Sequence, residues 1–112
     1  MIDGAHVIIY SKDAEADKAF FRNVLQFGHV DVGHGWLIFK LPPAEVAVHP
    51  SDENDLHELY LMTDDVDLEM ARLQRAGVAC EPASMQGWGR LTRLTLPGGG
   101  KIGLYQPRHA RP

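Results

Sequence analysis

The chain has 112 residues, enough for one domain with a modest core. Its 45% hydrophobic and 23% charged residues are ordinary for a globular protein, and 11 basic against 15 acidic residues give a net charge of −4, which speaks against nucleic acid or an anionic membrane as partner. A single cysteine, Cys80, excludes an internal disulfide and suits a reducing compartment. Met1-Ile2-Asp3 carries no basic-then-apolar signal pattern. No apolar run approaches the ~18 residues of a membrane helix. A cytoplasmic location and no membrane contact are therefore expected.

A strand is predicted over about Ala5 to Tyr10, where β-branched residues lie between Gly4 and Ser11. Ser11 or Asp13 can cap a following helix to about Leu25, whose apolar stripe Ala16, Phe20, Val24 and Phe27 ends before Gly28. Three short strands are expected next, over about His29–Val32, Trp36–Leu41 and Glu45–His49, with turns at Gly33-His34-Gly35 and Pro42-Pro43. The polar run Pro50–Asp55 is the best linker in the chain.

After that linker the plan repeats. A strand over about His57–Met62 leads to Asp64 or Asp65 as helix cap, a helix from Val66 to Ala76 with the stripe Val66, Met70 and Leu73, and Gly77 as its terminator. A weak strand near Glu81–Met85 precedes strands at Arg90–Leu96 and Ile102–Gln106, joined by the turn Pro97-Gly98-Gly99-Gly100. That turn lacks the following helix of a phosphate loop. The tail from Pro107 is expected to fray. His6 lines up with Glu58, Ile8 with Tyr60 and Asp13 with Asp65, so the chain carries two copies of one βαβββ unit, module one over about 1–50 and module two over about 56–107.

Strand alternation sorts the side chains. Val7, Ile9, Val46, Val48, Leu59, Leu61, Leu94, Leu96, Ile102 and Leu104 are expected to form an aliphatic face for the two helices. The opposite face carries His6, Tyr10, Trp36, His49, Glu58, Tyr60, Met62, Arg93 and Tyr105, a mixed lining suited to a ligand. Tyr10, Trp36, Tyr60, Met62 and Tyr105 would stack on a flat or apolar molecule, unless they pack at a subunit interface. Arg93 would anchor a carboxylate or phosphate, unless it is a surface arginine at a strand edge.

The opening Gly4-Ala5-His6-Val7, the junction Leu61-Met62-Thr63-Asp64-Asp65-Val66-Asp67 and the close Leu96-Pro97-Gly98-Gly99-Gly100-Lys101-Ile102-Gly103-Leu104-Tyr105-Gln106-Pro107 resemble the vicinal oxygen chelate superfamily of glyoxalases, bleomycin-resistance proteins, fosfomycin-resistance thiol transferases and extradiol dioxygenases. The resemblance implies an α+β fold of two βαβββ modules, a glyoxalase-like U-shaped sheet with helices on its convex face, and a homodimer. In enzymatic members, His, Gln or Glu on the first and last strands of each module hold a divalent metal.

Carried onto this chain, the first-strand positions are His6 and Glu58, and the last-strand positions are Ala47 and Gly103, which have no ligating side chain. A catalytic ion ordinarily takes about three protein ligands. His49, one step beyond Ala47, could supply a third. The expected function is thus a small-molecule-binding protein of the bleomycin-resistance type with a metal-free cavity. The alternative is a lyase, isomerase, thiol transferase or dioxygenase holding one divalent ion (Zn, Ni, Mn or Fe) through His6, Glu58 and His49. A third possibility is a vestigial cavity in a protein that works by association.

Overall fold

A computed structural model describes residues 5–112, and Gly4 of the family-like opening lies outside them. Among the described residues the chain is an α+β fold with two α-helices, a two-stranded antiparallel sheet and a four-stranded mixed sheet. Module two is complete. Strand β3 (Tyr60–Met62) leads into α2 (Val66–Arg75), then β4 (Ser84–Gln86), β5 (Gly89–Thr95) and β6 (Lys101–Pro107). The four strands stand in the order β3-β6-β5-β4, with β3 parallel to β6 and the other pairs antiparallel.

Helix α2 follows its local signals. Asp65 is the cap, its Oδ1 accepting the Leu68 amide at 3.1 Å, and the Gln106 side chain accepts the Val66 amide at 3.1 Å. Two of the four amides that a helix start leaves unpaired are thus satisfied. Gly77 ends the helix at φ 85°, a left-handed backbone that favours glycine. Val66, Leu73, Val78, Leu94, Leu96, Ile102 and Leu104 are buried between α2 and the sheet. Leu94, Leu96, Ile102 and Leu104 among them belong to the face assigned to aliphatic packing, whereas Val7 and Ile9 of that face are 51% and 37% exposed.

Module one contributes helix α1 (Ala14–Ala19), continued by a π-helical turn over Phe20–Val24. Asp13 caps α1 by accepting the Ala16 amide at 3.0 Å. Phe20 and Phe21 insert into the core of module two. Asp17, 6% exposed, accepts the Gly98 amide at 2.7 Å and ties α1 to the β5–β6 turn. The hairpin of β1 (His29–Asp31) and β2 (Leu37–Phe39) is antiparallel, and Phe39 packs on Phe21 with ring centroids 5.6 Å apart. Its turn, Gly33-His34-Gly35, takes positive φ at all three residues, so glycines flank the histidine.

Two strand expectations differ from the structure. Among the described residues, 5–10 and 44–49 form no strand. Val7, Ile8, Val46 and Val48 are 51%, 65%, 89% and 96% exposed. Strand propensity requires a neighbouring ladder to become a strand, and neither segment has one among the described residues of the single chain. The sheet is accordingly not closed into a U. The Cα radius of gyration is 14.9 Å, against about 13 Å for a compact chain of this length.

The tail also differs from expectation. Strand β6 runs through Pro107, the Arg108 amide donates to the Trp88 carbonyl at 2.9 Å, and Arg111 pairs with Glu45 at 3.1 Å. No helix among the described residues is long and apolar enough to cross a membrane.

Candidate functional site

The open face of module two is built by register. Tyr60 stands beside Gly103, and Gly103 beside Arg93, in one row across three strands. Met62, Tyr105 and Leu91 form the next row. The helix-facing neighbours Thr92, Leu94, Ile102 and Leu104 are buried. Tyr60, Met62, Arg93 and Tyr105 therefore share a face, as their alternation requires.

Three rings meet on that face. Trp88 lies 5.1 Å from Tyr105 and 5.9 Å from Tyr60, and the two tyrosines lie 5.6 Å apart, all edge-to-face. Edge-to-face pairing suits rings whose edges are positive and whose faces are negative. The cluster stays open: Trp88 is 43% exposed. Glycines make the room for it. A Cβ on Gly103 would overlap the Tyr60 ring, and a Cβ on Gly89 would stand 2.6 Å from the Gln106 carbonyl oxygen and 3.1 Å from Tyr105 Cδ2.

The rim is polar. Tyr60 donates its hydroxyl hydrogen to Glu58 at 3.0 Å. Partial burial pushes the Tyr60 phenol above its ordinary range, and the bond to Glu58 and that carboxylate's charge push it further, with Arg93 opposing. Tyr105 lies 3.2 Å from Nε2 of His109, whose ring packs 6.0 Å from the Tyr105 ring. Burial raises the Tyr105 phenol first and the Glu45 charge second, with Arg111 opposing.

The remaining candidates lie on module one. Tyr10 and Trp36 are 91% and 68% exposed and stand outside the aromatic cluster of the single chain. His6 is exposed. His49 is exposed as well, with Nδ1 at 2.7 Å from the Pro50 carbonyl. Glu58 is engaged by Tyr60. Among the described residues of the single chain, no group of three His, Cys, Asp or Glu side chains is placed to hold a metal ion. His6, His49 and Glu58 thus do not fit an ion as one chain arranges them. Cys80 is half-buried, and burial raises its thiol, the environment of an inert side chain.

Sequence reasoning passed over Trp88 and His109. Trp88 sits in the turn before β5, and His109 in the expected frayed tail. The nearest sequence signal was Trp88-Gly89, an aromatic beside a glycine at a strand start, where neighbouring rings need clearance.

No protein-family model and no curated protein matches the chain. Solved structures do. TnmS3, an antibiotic-binding protein from Streptomyces sp. CB03234, is 32% identical at TM-score 0.67, over 96% of this chain and 99% of its own. A glyoxalase/bleomycin resistance protein from the same source is 33% identical at TM-score 0.62, over 88% and 95%. Lactoylglutathione lyase from Agrobacterium tumefaciens, at 16% identity and TM-score 0.66 over 92% of both chains, shares the fold. With this identity over nearly its whole length, the chain belongs to the glyoxalase/bleomycin-resistance/dioxygenase superfamily, the vicinal oxygen chelate group.

Proposed function

We propose that this protein binds a planar, partly aromatic small molecule, of the kind an antibiotic presents, on the open face of module two. The observation that carries the reading is the half-open cluster of Tyr60, Trp88 and Tyr105, cleared by Gly103 and Gly89. Aromatic walls supply large apolar contact area at little conformational cost. The antibiotic-binding description of TnmS3 supports the same reading. Arg93, exposed in the Tyr60 row, would steer an anionic substituent.

The binding form is a homodimer working in the cytoplasm without a resident metal. The exposed apolar segments 5–10 and 44–49 support the dimer, because a second copy can cover them. The free thiol of Cys80 suits a reducing compartment.

The test is fluorescence titration with a panel of planar aromatic antibiotics, in a Trp36→Phe background that isolates Trp88. Saturable quenching that weakens at least tenfold in Tyr105→Ala is expected. Absence of quenching by every member, with the fold intact by circular dichroism, would overturn the reading.

A further inference from the structure

The hydrogen-bond directions around the cluster say what kind of ligand edge it accepts. The Tyr60 hydroxyl has one hydrogen, and it points to the Glu58 carboxylate, which can only accept. His109 fixes the second phenol. Its Nδ1 lies 2.8 Å from the Ala110 carbonyl oxygen, another group that can only accept, so Nδ1 carries the ring hydrogen. In the neutral imidazole Nε2 is then the acceptor, and the 3.2 Å contact is a bond donated by the Tyr105 hydroxyl. Both phenols spend their hydrogen within the protein. What each oxygen still offers a ligand is lone pairs.

Resting on the aromatic-platform reading above, we infer that Tyr60 and Tyr105 select planar ligands bearing hydrogen-bond donors, phenolic hydroxyl or aromatic amine, and discriminate against the corresponding ethers and carbonyls. The tail acts here as a positioning element: the Arg108 amide on the Trp88 carbonyl and the Arg111–Glu45 pair bracket His109 and hold it against Tyr105. Chain connectivity makes the arrangement economical, because His109 reaches Tyr105 from four residues away on the same strand's continuation.

A matched pair of probes tests it: 2,6-dihydroxynaphthalene and 2,6-dimethoxynaphthalene, titrated by calorimetry at about pH 8, where an imidazole is ordinarily neutral. The diol should bind about tenfold more tightly than the diether, the worth of one or two retained hydrogen bonds. His109→Phe keeps a ring against Tyr105 but removes the acceptor. It frees the Tyr105 hydrogen to meet an ether oxygen, so diether affinity should rise about threefold or more. A role for His109 in packing alone would leave or lower that affinity, and such a result overturns the inference. Equal binding of the two probes to the wild-type protein overturns the inference while leaving the platform reading intact. Failure of both probes to bind overturns both.

Discussion

The ring of Tyr60 lies across the Cα of Gly103, on the neighbouring strand, where a methyl group would overlap it. Gly103 is buried under this ring although it faces the open side of the sheet. The residue that cannot ligate a metal is therefore the residue that seats the aromatic platform. Gly103→Ala should push Tyr60 out of its edge-to-face contacts with Trp88 and Tyr105. Overpacking of this kind costs about 1–3 kcal/mol, measurable by urea unfolding. Binding of a planar aromatic ligand should fall by at least tenfold. A variant that keeps full affinity would show that Tyr60 is not held by this contact.

Asp17 joins the two modules through one bond. Its carboxylate is 6% exposed and accepts the Gly98 amide at 2.7 Å. Asp17→Ala leaves that amide without its acceptor, at a cost of about 1–3 kcal/mol. Asp17→Asn keeps a carbonyl oxygen at the same place and should lose less. Chemical denaturation of the three proteins checks the order, and equal losses in both variants would show that the hydrogen bond is not what Asp17 contributes.

Module two was legible because its signals are local and agree with its own pairing. Asp65, the Val66–Met70–Leu73 stripe and Gly77 bound one helix, and the alternation of Leu94, Leu96, Ile102 and Leu104 matches a face that α2 covers within the same module. Module one was legible only as far as its helix and hairpin. Val7–Ile9 and Val46–Val48 have the composition of strands, but a strand is a relation between two segments, and neither has a partner segment among the described residues of the single chain. The site divides in the same way. Tyr60, Met62, Arg93 and Tyr105 follow from alternation, whereas Trp88 and His109 arrive by register, through the pairing of Gly89 with Pro107 and the bond from the Arg108 amide. No short sequence window contains that register.

The phenol of Tyr60 offers a spectroscopic check on the rim. Burial, then the hydrogen bond to Glu58 and its charge, raise its pKa above the ordinary value near 10. A raised folded-state pKa means that the native protein holds the proton more tightly than the unfolded chain. The associated stability is fully present below the unfolded value and is lost as pH rises through the folded one. Absorbance titration of the phenolate band should show two late-titrating tyrosines, Tyr60 and Tyr105, the Tyr60 midpoint being identified by its loss in Tyr60→Phe. Glu58→Ala should move that midpoint down. An unmoved midpoint would place the cause in burial alone.

Metal content separates the binding reading from a metal-dependent enzyme. In the single chain Glu58 is engaged by Tyr60 and His49 by the Pro50 carbonyl. Untagged protein should contain well under one equivalent of Zn, Ni, Mn or Fe by elemental analysis, and chelator treatment should leave ligand affinity unchanged. A stoichiometric ion that disappears in His6→Ala and in Glu58→Ala would sink the metal-free reading and favour a lyase, isomerase, thiol transferase or dioxygenase.

The unpaired segments of module one give the last prediction. Ile8 and Val48 are 65% and 96% exposed, and each lies in a stretch whose backbone joins no strand among the described residues. Exposed apolar segments with free amides and carbonyls invite pairing with another chain. The second copy that the dimer proposal requires would cover both stretches and supply the missing ladder. Sedimentation equilibrium should give twice the mass of the 12.4 kDa chain. Ile8→Asp with Val48→Asp should shift the protein toward monomer. In the isolated chain both side chains face solvent, so the substitutions should change monomer stability by no more than about 0.5 kcal/mol. A double variant that stays dimeric would locate the interface elsewhere. A wild-type monomer at micromolar concentration would leave the module-two platform as the whole of the binding site.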